Sequence, residues 1–110
     1  GKKLHQHQAI QFMLADMKTK IEASRALTWK TAWEADNDIR NTESAAHAKR
    51  FAADTAMEVT TDAVQIFGGY GYSEEYPVAR LMRAAKVLQI YEGSSQVQRM
   101  IIGREMTRNL

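Results

Sequence analysis

A chain of 110 residues, 45% apolar and 25% charged, has room for one domain and one core. By size scaling, a chain of this length buries roughly 65% of its unfolded surface, enough to fold without staples. The net charge is +2, with Lys and Arg spread along the chain, which gives nucleic acid no basic block to bind. There is no cysteine, which excludes a disulfide frame or a thiolate metal site, and no apolar run of about 18 residues that could enter a membrane as a span.

The first predicted helix covers residues 4 to about 35. Ile10, Met13, Leu14, Met17, Ile21 and Leu27 share one face of it, and no Gly or Pro interrupts. His5 and His7, two apart on that helix, face different sides and cannot share a metal. Trp29 and Trp33, one turn apart, read as core or subunit packing. Met13, Met17, Met82 and Met100 read as gap-fillers. Asp36-Asn37-Asp38 breaks the helix, and Asn41 or Thr42 can cap the next.

Ala45, Ala48, Ala52, Ala56, Val59, Ala63 and Ile66 then mark a second long helix to Phe67, with a small-residue seam that allows close approach. Gly68-Gly69-Tyr70-Gly71 stops it. These glycines follow a helix rather than a strand, so they are not a dinucleotide fingerprint, although they let backbone N–H groups come near a ligand. Glu74 and Glu75 read as a solvated loop. Pro77 suits the first turn of a third helix running to about Ala85; Lys86 to Tyr91 reads equally as more helix or as a turn.

A last helix is predicted from 95 to about 108, with Ser95 and Gln98 forming an S-x-x-Q capping box and Val97, Met100 and Ile101 pointing inward. Four helices with short connections predict an all-α, antiparallel four-helix bundle, one domain over residues 1–110. Its apolar surplus predicts self-association.

The segment from Gln89 to Arg99 concentrates the candidate chemistry. Glu92 lies between an aromatic residue and Gly93, on a short turn just ahead of a helix N-terminus. A carboxylate placed there is a base set where a ligand must approach the backbone. No second grouping of His, Asp and Glu offers metal-ligand spacing.

The series Gln65-Ile-Phe-Gly-Gly-Tyr-Gly-Tyr, Glu75-Tyr-Pro-Val, Leu81-Met-Arg and Gln89-Ile-Tyr-Glu-Gly-Ser-Ser-Gln-Val-Gln-Arg resembles the C-terminal helical domain of the flavin-dependent acyl-CoA dehydrogenases. The medium-chain enzymes look closest. The likeness runs from Gly1 to about Arg104 and includes His7-Gln8-Ala9-Ile10 and Ala32-Trp33-Glu34. It implies a longer protein that continues upstream of Gly1, with FAD as cofactor, an acyl-CoA substrate, electron-transfer flavoprotein as electron acceptor and a homotetramer. It also implies a mitochondrial matrix location in a eukaryote or a cytoplasmic one in a bacterium.

By the same resemblance, Glu92 is the catalytic base that removes the α-proton of the thioester, and its backbone N–H helps hold the thioester carbonyl. His7 and Gln8 contact FAD. Gln65, Ile66, Phe67, Gly68 and Gly69 reach the adenosine-diphosphate part of FAD in a neighbouring subunit, and Ser94, Ser95 and Gln96 line the flavin side. Tyr91 shapes the acyl pocket and Gly93 leaves room for the substrate. One departure stands out: the family usually reads Arg-Asp-Ala where this chain has Arg83-Ala84-Ala85, so residues 84 to 91 are expected to lack a polar anchor. Two other readings stay open, a non-catalytic helical assembly module and an acyl-CoA oxidase relative.

Overall fold

The computed structural model describes all of residues 1–110 and is entirely helical. A short 3-10 turn, Leu4–Gln6, leads into α1 (Gln8–Asp36). Then come α2 (Thr42–Phe67), the single-turn α3 (Gly69–Tyr72), α4 (Pro77–Leu88) and α5 (Ser95–Met106). The molecule measures 59 × 27 × 25 Å. The expected all-α bundle is present, with α2 at its centre: α1, α4 and α5 each pack on α2 and not on one another.

That arrangement explains the composition of α2. A helix with partners on several sides must be small on several sides, and its buried residues are Ala46, Ala48, Ala53 and Thr55. Only Ala48 belongs to the single stripe that periodicity picks out; the rest of that stripe is half-buried. The core as a whole is made of small or branched side chains (Ala46, Ala48, Ala53, Val78, Ala85 and Ile102) set where helices cross.

α1 is different. None of its residues is buried. Ile10, Met13, Met17, Ile21 and Leu27 lie half-buried toward α2, and the Lys20–Glu58 ion pair marks the antiparallel register. Leu14, predicted on that face, is exposed, as are Phe12, Trp29 and Trp33. α1 therefore carries a second apolar side that this chain does not cover.

Several local expectations are corrected. His5 lies in the 3-10 turn, and His7 is the extended residue that precedes α1, so the two do not share a regular helix. Asn41 occupies the N-cap position of α2, but its amide donates to the Thr31 carbonyl of α1 (3.2 Å) instead of capping. Gly68, at φ 64°, ends α2 as predicted, yet the chain turns into a further helical turn, α3. Gly71 is required there, because a Cβ would come within 2.6 Å of the Val64 carbonyl.

α5 begins one residue earlier in its cap than predicted. Ser94 is the N-cap and its Oγ accepts from the Val97 N–H (3.3 Å). The inward stripe of α5 is Ser95, Gln98 and Ile102, whereas Val97 and Met100 are exposed and Ile101 is half-buried. Two of those three inward residues are polar, so an apolar count places the face one step off.

Candidate active site

Residues 89–94 leave α4 at its C-terminus and enter α5 at its N-terminus, and α2 runs behind them. Lys49 of α2 reaches this connection and donates to three carbonyls: Leu88, Tyr91 (2.9 Å) and Gly93 (2.9 Å). An ammonium has three N–H donors, so Lys49 is fully used. Its cation also sits against the carbonyl end of α4, where positive charge is favourable. The Tyr91 ring centroid lies 5.9 Å from Nζ.

A second post stands one turn further along α2. Asp54 accepts from Gln89 Nε2 and from Ser95 Oγ, both at 2.8 Å. Arg50 and Arg99 flank it at 3.9 and 4.0 Å. Burial pushes the Asp54 carboxyl up, but the hydrogen bonds from Ser95 and Gln89 and the two guanidinium charges outweigh that and hold it below its ordinary value. Gln98, buried on α5, closes the connection from the other side, donating to the carbonyls of Gly93 (3.2 Å) and Glu92 (3.4 Å). It thus reaches back as a capping-box residue would, but to carbonyls rather than to the N–H of the cap.

Between these ties stands Glu92, with φ 53°. A left-handed backbone at a residue other than Gly, Asn or Asp is costly, about 1–2 kcal/mol, and persists only where the surroundings impose it. Gly93 follows at φ 82°, and a Cβ there would lie 2.5 Å from Gln98 Nε2. Glu92 is exposed, and its N–H bonds to nothing within the chain. Beside it is an open depression of about 290 Å³ lined by Lys49, Ala52, Ala53, Leu88, Tyr91 and Glu92. The apolar enclosure that a carboxylate base needs is only begun by these residues.

The other predicted site residues divide into two places. Tyr91, Gly93, Ser94, Ser95 and Gln96 accompany Glu92. His7 and Gln8 lie at the start of α1, which by the antiparallel register is the end of the molecule where Gln65, Ile66, Phe67, Gly68 and Gly69 finish α2. Lys49 and Phe67 are separated by roughly 27 Å of helix, so the two groups do not meet within one chain.

The family model of the acyl-CoA dehydrogenase C-terminal domain matches residues 1–107. The chain belongs to that family. The short-chain-specific acyl-CoA dehydrogenase of Megasphaera elsdenii is 58% identical over 108 residues, 98% of this chain and 28% of the relative. The solved butyryl-CoA dehydrogenase of the same organism superposes with a TM-score of 0.95 at 58% identity, over 96% of this chain and 28% of the other. A structure described as the electron transferring flavoprotein of Acidaminococcus fermentans gives 0.97 at 54% identity, over 99% and 29%. The chain therefore spans less than a third of the length of the relatives it matches. Their names speak of short-chain and butyryl substrates, so the expected closeness to the medium-chain enzymes is not supported.

Within this acyl-CoA dehydrogenase domain, the missing aspartate at Ala84 leaves no loose segment, because Lys49 and Asp54 anchor residues 88–95 from α2 instead. Lys49, Asp54 and Gln89 are the residues that the sequence alone did not single out. The available signal was a Lys and an Asp set among the buried alanines of α2, where a charge needs partners.

Proposed function

We propose that this chain is the part of a short-chain acyl-CoA dehydrogenase that carries the catalytic base, Glu92, for α,β-dehydrogenation of an acyl-CoA thioester to the trans-2-enoyl-CoA. The observation that carries this reading is the Glu92 backbone. A non-glycine residue is held left-handed, with its N–H free and its carboxylate exposed beside an open depression, by ties from α2 and α5. Such strain is retained where a side chain must be aimed.

In this role the carboxylate takes the α-proton, and the N–H of the same residue donates to the thioester carbonyl, where negative charge develops as the proton leaves. Gly93 and Tyr91 border the substrate, and Ala52, Ala53 and Leu88 offer it an apolar wall. A solvated carboxylate is a weak base for a thioester α-proton, so water must be excluded by the bound substrate and by parts of the longer protein.

FAD, when bound, supplies the two-electron acceptor for the β-hydrogen. The residues present fit such a group. At Gly68 and Gly69 nothing lies within 4 Å of where a Cβ would stand, so the backbone there is open to close approach. His7 and Gln8 are exposed at the same end, and Ser94 and Gln96 are reachable at the other. Ser95 is buried with its hydroxyl committed to Asp54, so its side chain serves the loop. The separation of the two groups of residues accords with one chain serving two flavins in a homotetramer, and Trp29 (68% exposed) and Trp33 (59% exposed) offer apolar contact for the assembly. An electron-transfer flavoprotein is the proposed acceptor of the electrons.

The test is the full-length protein carrying this chain. It is expected to bind FAD and to turn over butyryl-CoA faster than octanoyl-CoA. Glu92→Gln should keep the flavin and lose turnover by about 10²–10⁴-fold, the range for a positioned general base. Turnover surviving the substitution would leave the segment a packing role.

A further inference from the structure

We propose that Lys49 is the positioning residue of the active-site loop: its ammonium, gripping the carbonyls of Leu88, Tyr91 and Gly93, holds Glu92 in the orientation from which it acts. This rests on the reading of Glu92 as the base. Two of the three carbonyls belong to the residues on either side of Glu92, at 2.9 Å each. The third is the last residue of α4. The grip thus spans the C-terminus of one helix and the turn that follows, and it contains the one non-glycine residue of that turn with a left-handed backbone.

No other group in the chain can replace Lys49. The Gln98 amide donates to the Gly93 carbonyl from the α5 side and reaches Glu92 only at 3.4 Å, while Asp54 holds Gln89 and Ser95, outside the strained pair. The three carbonyls point inward together, and without Lys49 each would lose a charge-assisted partner that water on the inner side of the loop does not replace at equal strength. The predictable response is relaxation of Glu92 toward ordinary backbone angles, which moves its carboxylate and its N–H together. Lys49 borders the depression beside Glu92, but its three donors are all committed to the loop carbonyls, so it offers the substrate no hydrogen bond and acts through Glu92.

The experiment uses the full-length flavoprotein with Lys49→Met, which keeps the aliphatic stem and removes all three donors, and Lys49→Arg. A planar guanidinium keeps the charge but cannot converge on three carbonyls in the same way. Lys49→Met is expected to retain flavin, to change KM little and to slow anaerobic bleaching of the flavin by butyryl-CoA about 100-fold, the scale of an ångström-level misplacement. Lys49→Arg should recover part of that rate. Hydrogen exchange should quicken at the hydrogen-bonded amides of Gln89, Ile90, Tyr91 and Ser95 and stay unchanged in α1 and the second half of α2.

Wild-type bleaching together with unchanged exchange in Lys49→Met would overturn the proposal, as would loss of protection spread evenly over every helix, which marks a general stabiliser. Should Lys49→Met fail to accumulate as folded protein, the Arg variant carries the same comparison. Normal bleaching in Glu92→Gln would overturn the base reading by itself, since the exchange pattern of Lys49→Met still decides whether Lys49 holds the loop.

Discussion

The two halves of α2 do opposite things with their neighbours. Around Lys49 and Asp54 the helix extends charged side chains that hold another segment, Lys49 by its backbone carbonyls and Asp54 by the side chains of Gln89 and Ser95, with a strained glutamate between them. Around Phe67 it extends no charged side chain: glycines turn the chain, and the rings of Phe67 and Tyr70 each pack against Tyr76, at 6.1 and 5.5 Å. One half fixes another segment; the other finishes in open backbone at Gly68 and Gly69. The difference accords with the two tasks proposed above, since a base needs a fixed direction and a large cofactor needs backbone that it can approach closely.

Substitutions at three glycines and one carboxylate sharpen that contrast. The largest stability effect is expected at Gly71→Ala, where the new methyl group would meet the Val64 carbonyl at 2.6 Å and the Phe67 Cβ at 2.7 Å. Overpacking against rigid backbone costs about 1–3 kcal/mol, and a fall in Tm of several degrees should report it. An unchanged Tm would mean that α3 is free to move away.

Gly93→Ala comes next. Its φ of 82° penalises an L side chain by about 1–2 kcal/mol, and the only close neighbour is the movable end of Gln98. Its effect should fall on flavin bleaching by butyryl-CoA more than on Tm, because the loop yields before the helices do. A variant with lowered Tm and full activity would reverse that order.

Asp54 gives the contrast a pH dependence. Its folded-state pKa lies below the ordinary value, so its contribution to stability is complete above about pH 4 and disappears as pH falls through the depressed folded value. Wild-type protein should therefore lose Tm more steeply than Asp54→Asn on acidification below about pH 4. Parallel curves would show that the carboxylate charge holds nothing.

The smallest effect is expected at Gly69→Ala. Nothing surrounds the added carbon, and Gly69 has no positive φ, so Tm should shift by less than about 0.5 kcal/mol equivalent. In the full-length protein the same methyl group should weaken FAD retention, measured as flavin absorbance after gel filtration. Full retention would remove Gly69 from the cofactor surface.

Much of this was legible in the residues. The long helices, the stop at Gly68 and the start at Pro77 follow from periodicity and from Gly and Pro chemistry, which act locally. The turn that carries Glu92 was legible because Gly93 and the serines after it are local signals as well. What escaped was cross-helix and polar. Ser95 looks like a cap until Asp54, distant in sequence, takes its hydroxyl and leaves the capping to Ser94. Gln98 turns inward where apolar counting puts Val97 and Met100. Lys49 resembles any helix lysine until three carbonyls converge on it. Trp29 and Trp33, read as core or subunit packing, are not in the core of this chain: both are exposed.

The claim on which the account turns is that Glu92, fixed by α2, removes the substrate α-proton. Anaerobic mixing of the full-length flavoprotein with butyryl-CoA isolates that chemical step from electron transfer to any acceptor. Wild-type flavin should bleach rapidly, while Glu92→Gln, with the same flavin content and the same affinity for the acyl-CoA, should bleach at least about 10²-fold more slowly. Bleaching at the wild-type rate in that variant would contradict the account.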